Sequence, residues 1–178
     1  DYTQFEFELI RFSSMPSPFS KEEFKSRTES ELIDALYDKV FLYYTGKVIK
    51  NAAAAYPVIK NVFENGGEKY ERIVVPFTDG TKTLQVVTNL KQAYESEGKD
   101  LISDFEKNIT LAIIDDTWKT HLRKMDELKQ SVQNASYEQK DPLLIYKFEA
   151  FELFKSMLDK VNREVLSFLF KGELPSQT

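Results

Sequence analysis

The sequence lacks several residue types on which common kinds of functional site depend. Its 178 residues include no cysteine and one histidine. Without cysteine the chain has no disulfide, no thiolate nucleophile and no cysteine-ligated zinc, a composition that suits a reducing compartment. A single histidine also excludes a metal site built from several histidines. Most cysteine and histidine chemistry is therefore removed from the candidate functions.

Glycine motifs and long apolar runs are also missing. The six glycines form neither GxxxxGK[ST] nor GxGxxG, and there is no GxSxG nucleophile elbow. No run approaches the roughly 20 apolar residues that span a bilayer, and we expect neither a transmembrane helix nor a signal peptide. Acidic pairs such as Asp115-Asp116 point apart on a helix, which favours a solvated surface over an acid/base dyad. We predict no catalytic residue and no metal ligand in this chain.

What the chain does contain is a large share of apolar and charged residues. The hydrophobic fraction of 42% is enough for one or two small cores. The chain has 24 Lys and Arg against 29 Asp and Glu, a net charge of −5. It therefore lacks the excess of basic residues that attracts nucleic acid. We expect no nucleic-acid partner. The chain opens at Asp1 instead of methionine, so we expect it to be part of a longer parent.

The N-terminal segment gives two local signals. In DYTQFEFELIRF, Phe5, Phe7 and Leu9 alternate with polar residues, which predicts a short strand or an extended arm. Ser20 followed by Glu23 is a capping box and predicts the start of a helix. Apolar residues at three- and four-residue steps then predict one long helix. They are Leu32, Ile33, Leu36, Val40, Phe41, Tyr44, Val48 and Ile49.

Pro57 is expected to kink or interrupt that helix, and Gly66-Gly67 to end it. The next stretch, YERIVVPFTDGTKTLQVV, predicts two strands joined at Asp79-Gly80, and Pro76 indicates an edge strand. Because an isolated two-stranded ribbon is marginal, it must dock on helices or recruit the alternating N-terminal segment.

Two long helices are predicted in the remaining chain. The first has a possible capping box at Ser103 and Glu106 and runs to about Asn134, and the second begins at Asp141-Pro142. The stripe of the first is Phe105, Ile109, Ala112 or Ile113, Trp118, Leu122, Met125, Leu128 and Val132. The stripe of the second is Ile145, Phe148, Phe151 or Phe154, Met157 or Leu158, Val161, Val165 and Phe168.

Gly172 and Pro175 are predicted to end the second helix. A polar connection of about seven residues joins the two helices, which predicts an antiparallel hairpin with residues 135–140 at its tip. We therefore predict a mainly α fold, in which a long antiparallel helical hairpin over 101–178 follows a smaller helical domain over 1–100. That smaller domain carries an inserted β-hairpin near 70–88.

Among single residues, His121 and Tyr137 stand out. His121 lies between Trp118 and Met125 at helical spacing, which favours a partly buried histidine hydrogen-bonded to a neighbouring helix over a metal or proton-transfer role. Trp118 and Met125 favour core or interdomain packing over a cofactor site. Tyr137, at the turn, either presents an exposed amphipathic ring or folds back on the helix ends. The residues alone leave these two alternatives open.

Residues 117–158 resemble one family along their whole length. They read TWKTHLRKMDELKQS, then YEQKDP, then IYKFEAFELFKSML. This is similar to W-K-x-H-L-x-x-M-D-x-L, a turn with G-Y-x-Q-K-D-P, and Y-K-x-E-x-F-x-x-F-x-x-M-L in SecA, the ATP-driven preprotein translocase motor. The matching residues are Trp118, Lys119, His121, Leu122, Met125, Asp126, Leu128, Tyr137, Gln139, Lys140, Asp141, Pro142, Tyr146, Lys147, Glu149, Phe151, Phe154, Met157 and Leu158.

The resemblance implies a fold and a role for this region. It implies that residues 101–178 are a helical scaffold with a two-helix finger, and that residues 1–100 are a helical wing-like domain with a lineage-specific β-hairpin. The tip residues Ser136, Tyr137 and Glu138 would contact the preprotein, with Tyr137 as the main contact. The packing and interdomain residues would be Trp118, His121, Met125, Phe151 and Phe154. The family's glycine before the tyrosine is Ser136 here, so the geometry of the tip is expected to differ.

The resemblance also implies partners and a location. The partners would be an unfolded preprotein, the SecYEG channel and other domains of the parent. The parent would be a protein-transporting ATPase that binds ATP and magnesium outside this chain, whereas this chain would bind no cofactor and hydrolyse nothing. It would lie in the bacterial cytoplasm, peripheral to the inner face of the plasma membrane. The alternative from the residues themselves is a free-standing helical adaptor that dimerises through the aromatic face of its last helix.

Overall fold

The computed structural model describes residues 1–66, 69–134 and 141–175, which form six helices and one two-stranded antiparallel sheet. In chain order the elements are α1 (Tyr2–Ser13), α2 (Lys21–Ser26), α3 (Glu29–Gly66), β1 (Arg72–Thr78), β2 (Thr83–Asn89), α4 (Leu90–Glu95), α5 (Lys99–Asn134) and α6 (Pro142–Lys171). The predicted fold class is confirmed: mainly helical, with two long C-terminal helices and one small β-hairpin.

Contacts within the chain define two compact units. Unit 1 comprises Asp1–Ile109 and Ser167–Thr178, and unit 2 comprises Thr110–Leu166. The start of α5 and the end of α6 therefore belong to unit 1, while the rest of both helices forms unit 2. The proposed boundary between a wing-like domain at 1–100 and a scaffold at 101–178 stays a prediction.

The core of unit 1 lies where the β-hairpin meets the helices. Inward residues alternate along each strand, as the two-residue period of a strand requires. The fully buried ring of Phe77 lies against Phe105 of α5, with ring centroids 4.3 Å apart. Other buried apolar residues of unit 1 are Val86, Leu90, Ala93, Leu101, Ile102, Ile109, Phe168 and Phe170. The β-hairpin thus docks on helices and does not recruit the N-terminal segment.

The turn of the β-hairpin lies where the sequence predicts it. Residues 79–82 connect Thr78 to Thr83, and the Asp79 carboxylate accepts the backbone N–H of Lys82 at 2.7 Å. Gly80 supplies the positive φ angle of 90°. Pro76 lies in β1, which pairs along its length with β2 on one side, while among the described residues its other side is paired only at Thr78, with Glu173. This fits the predicted edge position.

The N-terminal segment differs from its prediction. Residues 2–13 form α1, whose first turn is capped by the Asp1 carboxylate accepting the Thr3 N–H at 3.1 Å. Phe5 and Leu9 lie one helical turn apart on its partly buried side, whereas Phe7 is 62% exposed. The expectation of a strand or extended arm was wrong because a Phe5–Leu9 pair fits the helical period as well as the alternating one.

The long N-terminal helix is interrupted near its start and not at its proline. The predicted capping box of Ser20 and Glu23 is present but begins only the six-residue α2. Thr28 and Glu31 form reciprocal bonds of the same kind before α3. α3 then runs through Pro57 to Gly66, so of the two expected effects of Pro57 the interruption was wrong and the kink stays a prediction. Pro57 lies on the exposed side of α3, where water can bind the carbonyl that loses its N–H partner.

The start of α5 also differs from the prediction. α5 begins at Lys99, so the possible capping box at Ser103 lies inside the helix. Gly98, with a φ angle of 87°, reverses the chain after α4, and the Ser96 hydroxyl accepts the Asp100 N–H at 3.0 Å. The left-handed reversal therefore sets the start of α5 one turn earlier than the sequence pattern does.

The bounds of α6 agree with the prediction. The Asp141 carboxylate accepts the Leu143 N–H at 2.9 Å, Pro142 is the first helical residue, and the helix ends at Lys171 before Gly172. Among the described residues, no helix combines the length and apolar character that crossing a membrane requires.

Gly98 provides a test of how closely the chain reversal packs on α3. A Cβ atom at Gly98 would lie 2.8 Å from the Ala52 backbone oxygen, and its positive φ angle disfavours any side chain. We expect Gly98→Ala to lower the free energy of unfolding by at least about 1–2 kcal/mol, the ordinary cost of a left-handed residue with Cβ. The matched control is Gly46→Ala within α3, where a Cβ would meet nothing within 4 Å. This change should raise stability by about 0.5–1 kcal/mol. Urea unfolding measures both, and equal effects would contradict the close approach.

Candidate functional site

Unit 2 is an antiparallel pair of helices, which we call the finger hairpin (residues 110–166). His121 of α5 contacts Phe154 of α6 edge to face, with ring centroids 6.1 Å apart and ring planes at 64°. These two residues lie at similar distances along the chain from the connection between α5 and α6. Only an antiparallel pair brings such residues together, which agrees with the predicted hairpin.

The inner face of α5 is rotated from the predicted stripe. Ile113, Thr117 and His121, four residues apart, are 8%, 3% and 6% exposed. Trp118 and Leu122, which belong to the predicted stripe, are 44% and 47% exposed. The helical period was predicted correctly, but one residue is 100° of rotation, so the stripe was shifted toward an exposed edge. The shift arose because the polar Thr117 was not counted as a core position. The interdomain packing of Trp118 stays a prediction.

The large aromatic residues of α6 are exposed. Phe148, Phe151 and Phe154 have exposed fractions of 66%, 60% and 41%. Leu153 and Met157 are among the half-buried residues of α6. The predicted stripe is therefore wrong at Phe148, and of its alternatives Phe151 and Phe154 it is Phe154 that contacts α5. A short side chain lets two helix backbones approach each other, whereas a phenylalanine ring lies more easily beside the seam.

Exposed aromatic residues of both helices lie beside His121. The His121 ring contacts Trp118 at 5.3 Å between ring centroids and Phe154 at 6.1 Å. It therefore connects the exposed edge of α5 with that of α6. We call Trp118, Leu122, Phe148, Phe151 and Phe154 together the aromatic face. Exposed large apolar residues in such number on a two-helix hairpin are typical of a contact site.

Buried polar atoms lie beneath this face. Neither His121 Nδ1 nor Thr117 Oγ1 has a hydrogen-bond partner in the described part of the chain, although both atoms are buried. The predicted burial of His121 is seen, but no hydrogen bond to α6 forms at Nδ1. The described residues also contain no group of acidic or histidine side chains that could hold a metal ion.

The remaining predicted site residues fall in different places. Met125 is half-buried on α5. Ser136, Tyr137 and Glu138 lie outside the described residues, and their roles stay predictions.

Three phenylalanines hold the ends of the finger helices in the core of unit 1, and we call them the aromatic root. Phe105 of α5 lies between Phe77 of β1 and Phe168 of α6, with ring centroids 4.3 Å and 6.3 Å away. All three side chains are at most 3% exposed. Phe105 and Phe168 are core residues predicted from the helical stripes, whereas Phe77 was not predicted. Its place in the alternating pattern of β1 is the signal that could have identified it.

The elements define a class of protein: a mainly helical scaffold that contains a long two-helix hairpin and a unit of helices with one β-hairpin. Comparison with protein families identifies it further, since the model described as SecA Wing and Scaffold domain matches residues 18–173. The chain belongs to this SecA family.

Similar proteins agree with this assignment. The chain is 68% identical, over 99% of its length, to the protein translocase subunit SecA of Christiangramia forsetii. It is 62% identical over 99% to that of Flavobacterium psychrophilum, and 46% identical over 98% to that of Parabacteroides distasonis. In each case it spans 16% of the relative's length. No solved structure matches the chain.

The unpaired hydroxyl in the finger hairpin can be tested by an isosteric change. We expect Thr117→Val to raise the free energy of unfolding by about 1 kcal/mol, because it removes a buried hydroxyl that has no partner. The control is Thr120→Val, whose hydroxyl donates to the Asp116 carbonyl at 3.2 Å and which should lower stability slightly. Both are measured by urea unfolding. A loss of stability in Thr117→Val larger than in the control would show that the hydroxyl is paired.

Proposed function

We propose that this chain is the part of a SecA translocase that carries movement to an unfolded preprotein at the mouth of the SecYEG channel. The observation that carries the proposal is the continuity of the finger helices. α5 runs unbroken from Lys99 in unit 1 to Asn134 in the finger hairpin, and α6 returns from Pro142 to Lys171. At 1.5 Å per residue, α5 is a rod of about 54 Å. A helix of this kind, held in a core at one end, can transmit a displacement to its other end.

The connection between the rods carries the residues that would meet the substrate. Tyr137 follows α5 by three residues and precedes the capping residue Asp141 of α6. A tyrosine offers a rigid ring and a hydroxyl at low cost in side-chain entropy, which suits contact with polypeptides of many sequences. Ser136 and Glu138, on either side of Tyr137, are polar. The proposed contact would therefore stay hydrated and would not select particular preprotein sequences.

The remaining parts of this proposal concern the parent protein. The relatives are about six times as long as this chain, and the proposed ATP and magnesium sites belong to their other parts. The proposed location is the cytoplasmic side of the bacterial plasma membrane, where other domains of the parent and SecYEG are the partners. The aromatic face, with Phe151 60% exposed, is a surface that such domains would cover.

Crosslinking from the connection tests the substrate contact. A photoreactive residue at position 137 of the full-length parent should crosslink to a translocating preprotein when ATP and SecYEG are present. The matched control is the same residue at Phe148, which is 66% exposed on α6 and belongs to the aromatic face. The probe at Phe148 should crosslink to other domains of the parent and not to the preprotein. A probe at position 137 that reacts only with water would refute the proposed contact.

A second function is favoured by the exposed aromatic face: a helical adaptor that dimerises through it. Phe148, Phe151 and Phe154 would then be buried between two copies. Sedimentation of the isolated chain distinguishes the functions, because an adaptor should form a dimer that persists on dilution and is lost in Phe151→Ser. A chain that sediments as a monomer at all concentrations would exclude the adaptor, and the translocase function would be the one that remains.

A further inference from the structure

The carbonyl end of α6 is held by side chains of α3. The last carbonyls of a helix have no partner within it and need one from elsewhere. The Lys47 ammonium donates to the Phe170 carbonyl, and the Asn51 amide donates to the Gly172 carbonyl at 3.1 Å. Asn51 is 7% exposed, so its hydrogen bond is made away from water. A lysine at this position also interacts favourably with the negative end of the helix dipole.

The same side of α3 holds α5. The Tyr44 hydroxyl donates to the Glu106 carboxylate of α5 at 2.8 Å, and the Tyr44 ring lies 5.2 Å from that of Phe170. Burial, together with this hydrogen bond, raises the pKa of the Tyr44 phenol well above its usual range, so the phenol stays a donor. Tyr44, Lys47 and Asn51 are spaced by three and four residues and therefore lie on one face of α3. We call these three residues the polar bracket.

The chain that follows α6 is also fixed on its other side. Thr78 of β1 and Glu173 exchange two backbone hydrogen bonds of 2.8 Å and 2.9 Å. Between them and α6 lies Gly172, where a Cβ atom would come within 2.8 Å of the Phe168 oxygen and 2.9 Å of the Phe105 ring. The end of α6 therefore has little freedom to shift along α3 or away from β1.

The polar bracket differs in kind from the aromatic root. Apolar contacts are not directional, and packed rings can slide by small steps while they stay buried. A hydrogen bond weakens steeply when its distance and angle change, and a buried donor left unpaired is costly. A shift of α3 against α5 or α6 by a fraction of a turn would break the bonds made by Tyr44, Lys47 and Asn51. The polar bracket thus fixes the register of α3 against both finger helices.

We propose that Tyr44, Lys47 and Asn51 are positioning residues that make α3 and the two finger helices move together, so that movement of the parent's other domains reaches the finger hairpin. This inference rests on the proposed function and adds to it the residues that couple the finger to the rest of the chain. The ion pair of Lys47 with Glu173 at 3.5 Å contributes little, because the Glu173 side chain is 60% exposed. The side-chain bonds to helix carbonyls and to Glu106 carry the coupling.

The test uses the full-length translocase with Tyr44→Phe, Lys47→Met and Asn51→Leu, which remove donors and keep most of the side-chain volume. We expect each variant to fold with a lower melting temperature, because an acceptor loses its partner, and the ATPase rate without preprotein to be unchanged. The amount of preprotein moved per ATP hydrolysed should fall roughly three- to tenfold, since a factor of ten corresponds to about one charge-assisted hydrogen bond. Lys47→Arg keeps a donor at this position, so it should move most of the amount of preprotein per ATP that the unaltered protein moves. The matched control is Lys50→Met, an exposed lysine of α3 outside the polar bracket, which should behave as the unaltered protein.

Two results would overturn the inference. One is an unchanged ratio of preprotein moved to ATP hydrolysed in all three variants. The other is a loss that follows the fall in melting temperature from variant to variant, since this would indicate a structural role only. The probe at position 137 is included in each preparation. If it reaches the preprotein while the ratio is unchanged, only the polar bracket is refuted, whereas a probe that never reaches it refutes the proposed function.

Discussion

The contact of Phe105 with Phe77 and Phe168 is the interaction on which the rest of the structure depends. It is where the β-hairpin, the start of α5 and the end of α6 meet, and the three rings are almost wholly buried. Each aromatic ring removes some 150–250 Å² from water, which makes such a cluster a dominant local source of stability. Because both finger helices pass through it, their spacing is set there. The tight fit of Gly172 against Phe105 follows from the same contact.

Stability and positioning are supplied by different residues in unit 1. The aromatic root removes apolar surface from water but tolerates small displacements. Tyr44, Lys47 and Asn51 make directional bonds to α5 and to the end of α6, and these bonds specify one register. β1 adds the backbone pairing of Thr78 with Glu173. The β-hairpin, which looks like an addition to a helical protein when read as sequence, is therefore part of the support of the finger helices.

Local signals in the sequence predict the elements well, and tertiary packing explains the errors. Ser20, Asp141 and Gly80 act through backbone hydrogen bonds or a φ angle that involve only neighbouring residues, so their effects can be read directly. The identity of the inner face of α5 depends on α6, and a periodic pattern cannot distinguish two adjacent faces when Thr117 and His121 occupy the buried one. The polar bracket could not be predicted, because Lys47 and Asn51 read as ordinary exposed helix residues until their partners at 170–172 are known.

The finger hairpin has an unusual distribution of residues for two helices that pack on each other. Polar Thr117 and His121 lie inside, with buried atoms that have no partner among the described residues, while Phe148 and Phe151 lie outside. Exchanging such residues between the two faces would bury more apolar surface and would stabilise an isolated hairpin. The sequence is therefore not optimised for the hairpin alone. The proposed contacts with other domains of the parent would cover the exposed rings, and relatives of which the chain spans 16% are long enough to contain such domains.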